Sequence, residues 1–310
     1  MGRSEGLLTS AAGDTPAPSR RRRLLRLDLT TPGLLGLPLA WLVVFFVVPI
    51  VIVAAYSFDV YSLFPGPHGF TFAGWRGFFH DAVYLRLFWK SVQMSLIVSA
   101  IIVVLAYPLA YYLALSGTKR KYILLLLLIA PFLTSYLLRV LAWTVILGDQ
   151  GAVNSFLFWT GLRSPDAPLS QLLYSRFAVM LVLGYIWLPF VALPIFVSLE
   201  SLDRSLLEAA SDLGASRLQA FRRVTLPLSM PGVVAAFLFV FIPTLGEFIT
   251  PSLVGGATGY MYGNQIVDLF GTGFPDWETG SVLAIFLFGV VTVLTVVFAR
   301  FLSVRRVTAG

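Results

Sequence analysis

The 310-residue sequence contains no cysteine, which excludes disulfides and thiolate metal sites. Histidine is almost as scarce. His68 and His80 fall in one stretch between apolar runs, with no Asp, Glu or Cys at ligand spacing, so no metal site is expected. Charge is thin as well: 12% of residues are Asp, Glu, Lys or Arg, against about 25% in an average soluble domain. No Gly-x4-Gly-Lys-[Ser/Thr] phosphate loop occurs, so the chain is not expected to hold ATP itself. No internal repeat stands out at a fixed spacing. The apolar runs hold neither His nor Cys, and a membrane enzyme would need a convergent nucleophile, base or metal set there.

What the sequence has instead is hydrocarbon, 58% of its residues. About 20 apolar residues cross a bilayer core, and six runs meet that length. They are Leu34–Tyr56, Ser91–Ser116, Tyr122–Gly148, Phe177–Leu199, Val224–Gly246 and Thr279–Ala299. The third is interrupted only by Arg139. These runs predict an all-α integral membrane protein with six transmembrane helices.

With alternating sides, sixteen of the 22 basic residues fall on one side. They occupy the two ends of the chain and the stretches around Lys119 and Arg217. Five fall on the other side, namely Arg76, Arg86, Lys90, Arg163 and Arg176. Basic residues in short loops mark the cytoplasmic side, which puts both termini in the cytoplasm, as an even number of spans requires. Residues 1–30 are rich in Ser, Pro, Gly and Arg and lack apolar periodicity, so they read as a disordered basic tail. The six-helix transmembrane domain then runs over 31–306. A basic tail ahead of an apolar run also resembles a signal peptide. Leu34–Tyr56 is longer than the ~7–15 residues of a cleavable apolar region, and Thr31 and Pro32 suit a helix start, which favours a retained span.

The connection between the fourth and fifth runs, residues 201–227, is more than a loop. Ser205-x-x-Glu208 and Ser216-x-x-Gln219 both have the form of a capping box. Gly214 between them suits the residue that ends a helix, and Pro227 is expected to limit the second one. Two short helices are predicted, with Leu206, Leu207 and Ala210 on one face and Leu218, Phe221 and Leu226 on another. A plain amphipathic segment lying on the membrane would share these features.

Glu208-Ala209-Ala210, Gly214 and Val224-x-Leu226-Pro227 also fit the E-A-A-x3-G-x9-I-x-L-P signature of bacterial ABC-importer permeases, with Val224 in place of isoleucine. The chain resembles that family from about Leu34 onward, and its spermidine/putrescine branch most. The stretches that carry the resemblance include Leu128–Arg139, Gly151-x-x-Asn154, Gly184–Phe190, Leu226–Gly232, Gly246–Gly256, Gly263–Ile266 and Asp276-Trp277. After Asp276-Trp277 that branch usually continues Pro-Phe-Gly, whereas here Glu278-Thr279-Gly280 follows. The resemblance implies a type I importer permease whose 201–227 segment couples to a partner. It further implies a second permease subunit in a pseudo-two-fold pair, two ATPase subunits that bind ATP and Mg, and an extracytoplasmic substrate-binding protein. No cofactor in this chain and no nucleic-acid partner are expected, and the setting is a bacterial inner membrane. Related branches move iron, phosphonates or opine-like compounds, and an ion-coupled carrier would explain the spans without the signature.

Substrate-path candidates follow from charge and aromaticity. Glu247 near the outer end of the fifth run is expensive in hydrocarbon. It is expected to serve as counter-charge for a cationic solute, to lie in the outer headgroup region, or to pair with Arg139. Arg139 itself is structural or lines the path. Trp143, Trp187, Tyr185 and Tyr136 offer aromatic faces to amines, although packing and interfacial belts are the commoner fate of membrane aromatics. Asp149 lies among seven outer carboxylates that outnumber five basic residues.

Overall fold

The computed structural model describes residues 30–61, 68–116, 120–271 and 275–307, and all regular structure among them is helical. The basic tail up to residue 29, the Phe64–Pro67 turn stretch and Lys119 lie outside the described residues. Two compact units are present, Met1–Ile50 and Val51–Gly310. In chain order the helices are α1 Thr30–Leu42, α2 Val48–Ser57, α3 Ala73–His80, α4 Ala82–Leu115, α5 Lys121–Ile129, α6 Tyr136–Leu147 and α7 Ala152–Trp159. They continue with α8 Arg176–Glu200, α9 Arg204–Asp212, α10 Arg217–Ala220, α11 Leu226–Leu245, α12 Gly256–Gly259, α13 Tyr262–Gly271 and α14 Trp277–Val307.

The first unit holds α1, which begins at Thr30, so Thr31 is already helical rather than the cap. Gly36–Ser57 is long and apolar enough to cross a membrane, and none of its most apolar stretch is buried. A helix apolar all round needs lipid or another protein about it.

In the second unit, α4, α8 and α11 form the centre. Their facing side chains, among them Ile102, Ala106, Leu183, Ile186, Val191, Ala236 and Val240, are buried together. Asp81 starts α4 by accepting the Val83 N–H at 2.8 Å. The 34 residues of α4 extend for about 51 Å, well beyond a ~30 Å hydrocarbon core. A smaller cluster at one end joins Phe78 of α3, Tyr262 of α13 and Val282 and Leu283 of α14. The turn-rich stretches between spans thus carry the short helices α3, α7 and α13, which the sequence left open.

Two runs depart from expectation. The third is not one rod. Lys121–Leu133 and Tyr136–Trp159 meet at 87°, so among the described residues five helices are long and apolar enough to cross a membrane, or six if this bent pair is one span. Ala130–Leu133 tightens into a 3-10 turn, and Thr134 and Ser135 are extended. Thr134 donates its hydroxyl to the Pro131 carbonyl at 2.6 Å. Pro131 cannot donate to the helix ladder, and although Ala130 before it stays helical, the chain leaves helical geometry just beyond it, at Thr134. The fifth run is longer than expected. Arg217 to Leu245 is one continuous apolar helix, in which a π-type turn at Phe221–Thr225 absorbs Pro227. Pro227 therefore continues the helix instead of limiting it.

Candidate functional site

The 201–227 segment is built by capping. Asp203, not Ser205, starts α9, since its carboxylate accepts the Ser205 N–H at 2.9 Å. That bond, and the further one to the Ser205 side chain, hold the Asp203 carboxyl below its ordinary range. At the other end Gly214 has φ +79°. Its N–H reaches the Ser211 carbonyl at 2.9 Å, and the Ala215 N–H reaches that of Ala210 at 3.0 Å. This double closure is the Schellman arrangement, which needs a residue free to take positive φ. The second capping box is present as expected. The Ser216 N–H donates to Gln219 Oε1 at 2.8 Å, and the Gln219 N–H to Ser216 Oγ at 3.4 Å.

The faces sort differently from the periodic reading. Leu207, Ala210, Phe221 and Leu226 turn inward, whereas Leu206 and Leu218 are exposed with Glu208, Ala209 and Pro227. Leu213, 89% exposed, joins them unannounced, because its place just before a helix-ending glycine says nothing of the face it presents. A concavity of about 390 Å³ opens between α9 and the Arg217 helix, lined by Leu213, Gly214, Gln219, Ala220, Arg223 and Val224. Above it, the Phe221 ring meets Tyr107 and Tyr111 of α4 edge to face, at 5.8 and 5.7 Å. The Tyr107 and Ser229 hydroxyls are 2.8 Å apart. An ion pair between Lys121 and Glu200 ties the start of α5 to the end of α8. The 201–227 segment is thus packed against α4, itself bonded to α11.

The second site gathers at the far end of α11. Glu247 lies past the last residue of that helix, in a turn. Its Oε1 accepts the N–H groups of Ile249 and Thr250 at 3.0 and 3.1 Å, so it caps the helical turn that follows. The turn is held from outside by Gly263-Asn264. A Cβ on Gly263 would lie 2.5 Å from the Gly246 carbonyl oxygen and 2.6 Å from that of Glu247. Asn264 donates to the Phe248 carbonyl at 2.9 Å and to Ser252 Oγ at 2.7 Å. Tyr136, at the start of α6, shares a 2.6 Å hydrogen bond with Thr250 Oγ1 and stands within electrostatic reach of both Glu247 and Arg139.

Arg139 and Glu247 are not ion-paired; among the described residues the pairs are His68–Asp59 and Lys121–Glu200. The Arg139 guanidinium lies over the Phe132 ring at 4.2 Å and 5.8 Å from that of Tyr136. Arg139 is 8% exposed, and its Nε has no acceptor. Phe132 abuts Phe190 at 4.1 Å, and Phe190 meets Trp187 and Phe239 at 5.6 Å each. Trp187 therefore belongs to the Arg139 side of the molecule. Trp143 and Tyr185 pack on each other at 5.6 Å and line an apolar groove between α4, α6 and α8. Asp149 is exposed on the turn after α6. His68 does have a carboxylate neighbour, Asp59 at 3.0 Å, but no set of three candidate ligands forms among the described residues. Phe132 and Thr250 escaped sequence reasoning, since only the fold brings them to Arg139 and Tyr136.

Residues 106–309 match the family of binding-protein-dependent transport system inner membrane components. The chain belongs to that family. It is 40% identical over 220 residues to the spermidine/putrescine transport system permease protein PotB of Escherichia coli (strain K12), across 71% of this chain and 78% of that one. With PotB of Haemophilus influenzae (strain ATCC 51907 / DSM 11121 / KW20 / Rd) the identity is 36% over 264 residues, 84% of this chain and 90% of the relative. A bacterial ABC transporter involved in the import of the acidic polysaccharide alginate shares the fold, with a TM-score of 0.64 at 21% identity over 90% of this chain and 97% of that one. This family member is thus a multi-pass membrane permease of the ABC-importer fold, and a transport subunit rather than an enzyme.

Proposed function

We propose that the chain is one of two permease subunits of a polyamine importer, driven by separate ATPase subunits that bind ATP and Mg. The observation that carries the coupling half is that the second part of the segment, Arg217–Pro227, belongs to the continuous helix Arg217–Leu245, with α9 joined to it at the Gly214 turn. A partner gripping the exposed Leu206, Leu213 and Leu218 would push on a rod that runs from Arg217 to Leu245, two residues short of Glu247. Such a rod converts closure of a partner into rigid-body motion of the spans. Glu208, Ala209, Ala210, Gly214, Leu226 and Pro227 build that grip and its two hinges. Both termini then lie in the cytoplasm and Asp149 on the outer side, where the family's binding protein would deliver solute.

The second permease is supported by the break in the third run. Thr134 and Ser135 are non-helical and exposed within an apolar stretch. Irregular backbone at membrane depth survives only against protein or a water-filled cavity, so this face belongs against a partner or the path. Polyamine as substrate is supported by the relatives' substrate and by Glu247, Tyr136 and Trp187 beside one another's neighbours on that face. A carboxylate with aromatic faces suits an alkylammonium. One observation favours a second reading: the buried Arg139 with an unpaired Nε would suit an anionic solute such as a phosphonate.

The decisive measurement is uptake in vesicles loaded with ATP. Spermidine or putrescine uptake that stops without ATP, and co-purification of an ATPase that is lost in Leu213→Glu and Glu208→Lys while both variants still insert, would support the reading. Uptake driven by an ion gradient alone, or an ATPase retained by both variants, would refute the coupling half. Phosphonate uptake without polyamine uptake would replace the substrate.

A further inference from the structure

The apolar groove between α4, α6 and α8 lies outside both sites and measures about 430 Å³. Its walls are hydrocarbon and aromatic: Ile101, Ile102 and Leu105 of α4, Trp143 of α6, and Met180 and Leu188 of α8 are representative. Lys90 stands eleven residues above Ile101, three turns up the same face of α4, a rise of about 16 Å. Arg176 is the first residue of α8, one turn above Met180. The two cations are close enough to repel one another, and Lys90 is half-buried. Arg176 spends one N–H on the Thr258 carbonyl, at 2.9 Å. Neither has a carboxylate partner among the described residues, where the ion pairs lie elsewhere. Trp89, 61% exposed beside Lys90, is the residue type that settles at the headgroup level.

Two like charges without a carboxylate partner, above an apolar slot whose α8 wall runs from Phe177 to Leu188, about 16 Å, have a complement in an anionic headgroup that carries an acyl chain. We propose that this groove is a binding site for a single anionic phospholipid, its phosphate between Lys90 and Arg176 and one acyl chain along α4 and α8. The site requires neither the docking segment nor Glu247, so it stands apart from the substrate reading. Gly184 offers a clean probe, because a Cβ there meets nothing closer than Ile102 Cγ1 at 3.9 Å. A leucine at 184 would enter the slot without striking the backbone.

The test is native mass spectrometry of the full chain after purification with phosphatidylglycerol or phosphatidylcholine. The wild type should retain one phosphatidylglycerol in preference to phosphatidylcholine. Each basic side chain at an anionic surface is worth about fivefold, so Lys90→Gln with Arg176→Gln should cut that preference roughly twenty-five-fold. Lys90→Arg should keep it. Gly184→Leu should lower retention of both lipids, with an unchanged elution profile as proof of folding. Equal retention of the two lipids by the wild type, or a preference that survives the double substitution, would overturn the proposal. So would retention unaffected by Gly184→Leu, since the slot would then be empty of chain or covered by a protein helix. Displacement of the lipid by inorganic phosphate at millimolar concentration would reduce the site to a bare anion contact and overturn it too.

Discussion

Glu247 performs two tasks that a single substitution can separate. Its carboxylate caps the turn through the Ile249 and Thr250 N–H groups, and its charge faces the Tyr136 region. Glutamine keeps an acceptor for the cap and removes the charge. Glu247→Gln is therefore expected to leave the amount of inserted protein unchanged while raising the apparent KM for polyamine uptake about tenfold, the loss of one charged hydrogen bond. Unchanged KM and rate would show that the charge plays no part. Gly263→Ala tests the scaffold instead. The added methyl lies 2.5 Å from the Gly246 carbonyl oxygen, so the Glu247 turn must shift. A cost of about 1–3 kcal/mol is expected from such overpacking, visible as a lower unfolding temperature in detergent together with lost uptake. Wild-type stability and transport would show the turn to be compliant.

Among the elements, the 201–227 segment, proposed to dock a partner, owes its shape to local chemistry. Ser216→Ala removes one half of the capping box and should cost about 1 kcal/mol of local helix stability. Hydrogen exchange over 216–220 should quicken accordingly, and Ser216→Asp should restore it. Gly214→Ala forces a side chain into φ +79°, a strain of roughly 1–2 kcal/mol. Weaker ATPase co-purification with normal insertion is the expected outcome, and undiminished binding would mean the turn is not needed in that conformation. The α10 to α11 junction teaches a different lesson. Proline at 227 reads as a stop in one dimension, yet the π-type turn before it, closed by the Leu226 N–H on the Phe221 carbonyl, lets the helix run on. Pro131 sits in an equally apolar run and there the chain does break. What differs is the partner chemistry: Thr134 bonds back to Pro131 and Ser135 opens a new helix.

At the scale of the whole molecule, the absence of cysteine makes topology directly testable. Single cysteines at Ser164 and Arg222, both exposed positions, should react oppositely with a membrane-impermeant maleimide. In intact spheroplasts Ser164→Cys should label and Arg222→Cys should label only after permeabilisation. The reverse pattern would invert the orientation read from sixteen against five basic residues.

Sequence alone determined the membrane class, the family resemblance and the second capping box of the 201–227 segment, and it set the expected sidedness of the loops. Each of these rests on a local quantity: the length of an apolar run, a signature at fixed spacing, a cap three residues from its partner, the side of a charge. Tertiary structure decided what depends on approach between distant residues. It broke the third run by 87°, joined the docking segment to span five, and parted Arg139 from Glu247 while setting Tyr136 and Thr250 between them. It also took Trp143 and Tyr185 to a lipid-like groove and left Trp187 beside Phe190. Aromatic side chains look alike in a sequence because hydrophobicity carries no direction. Only packing assigns each ring to a path, a core or the bilayer.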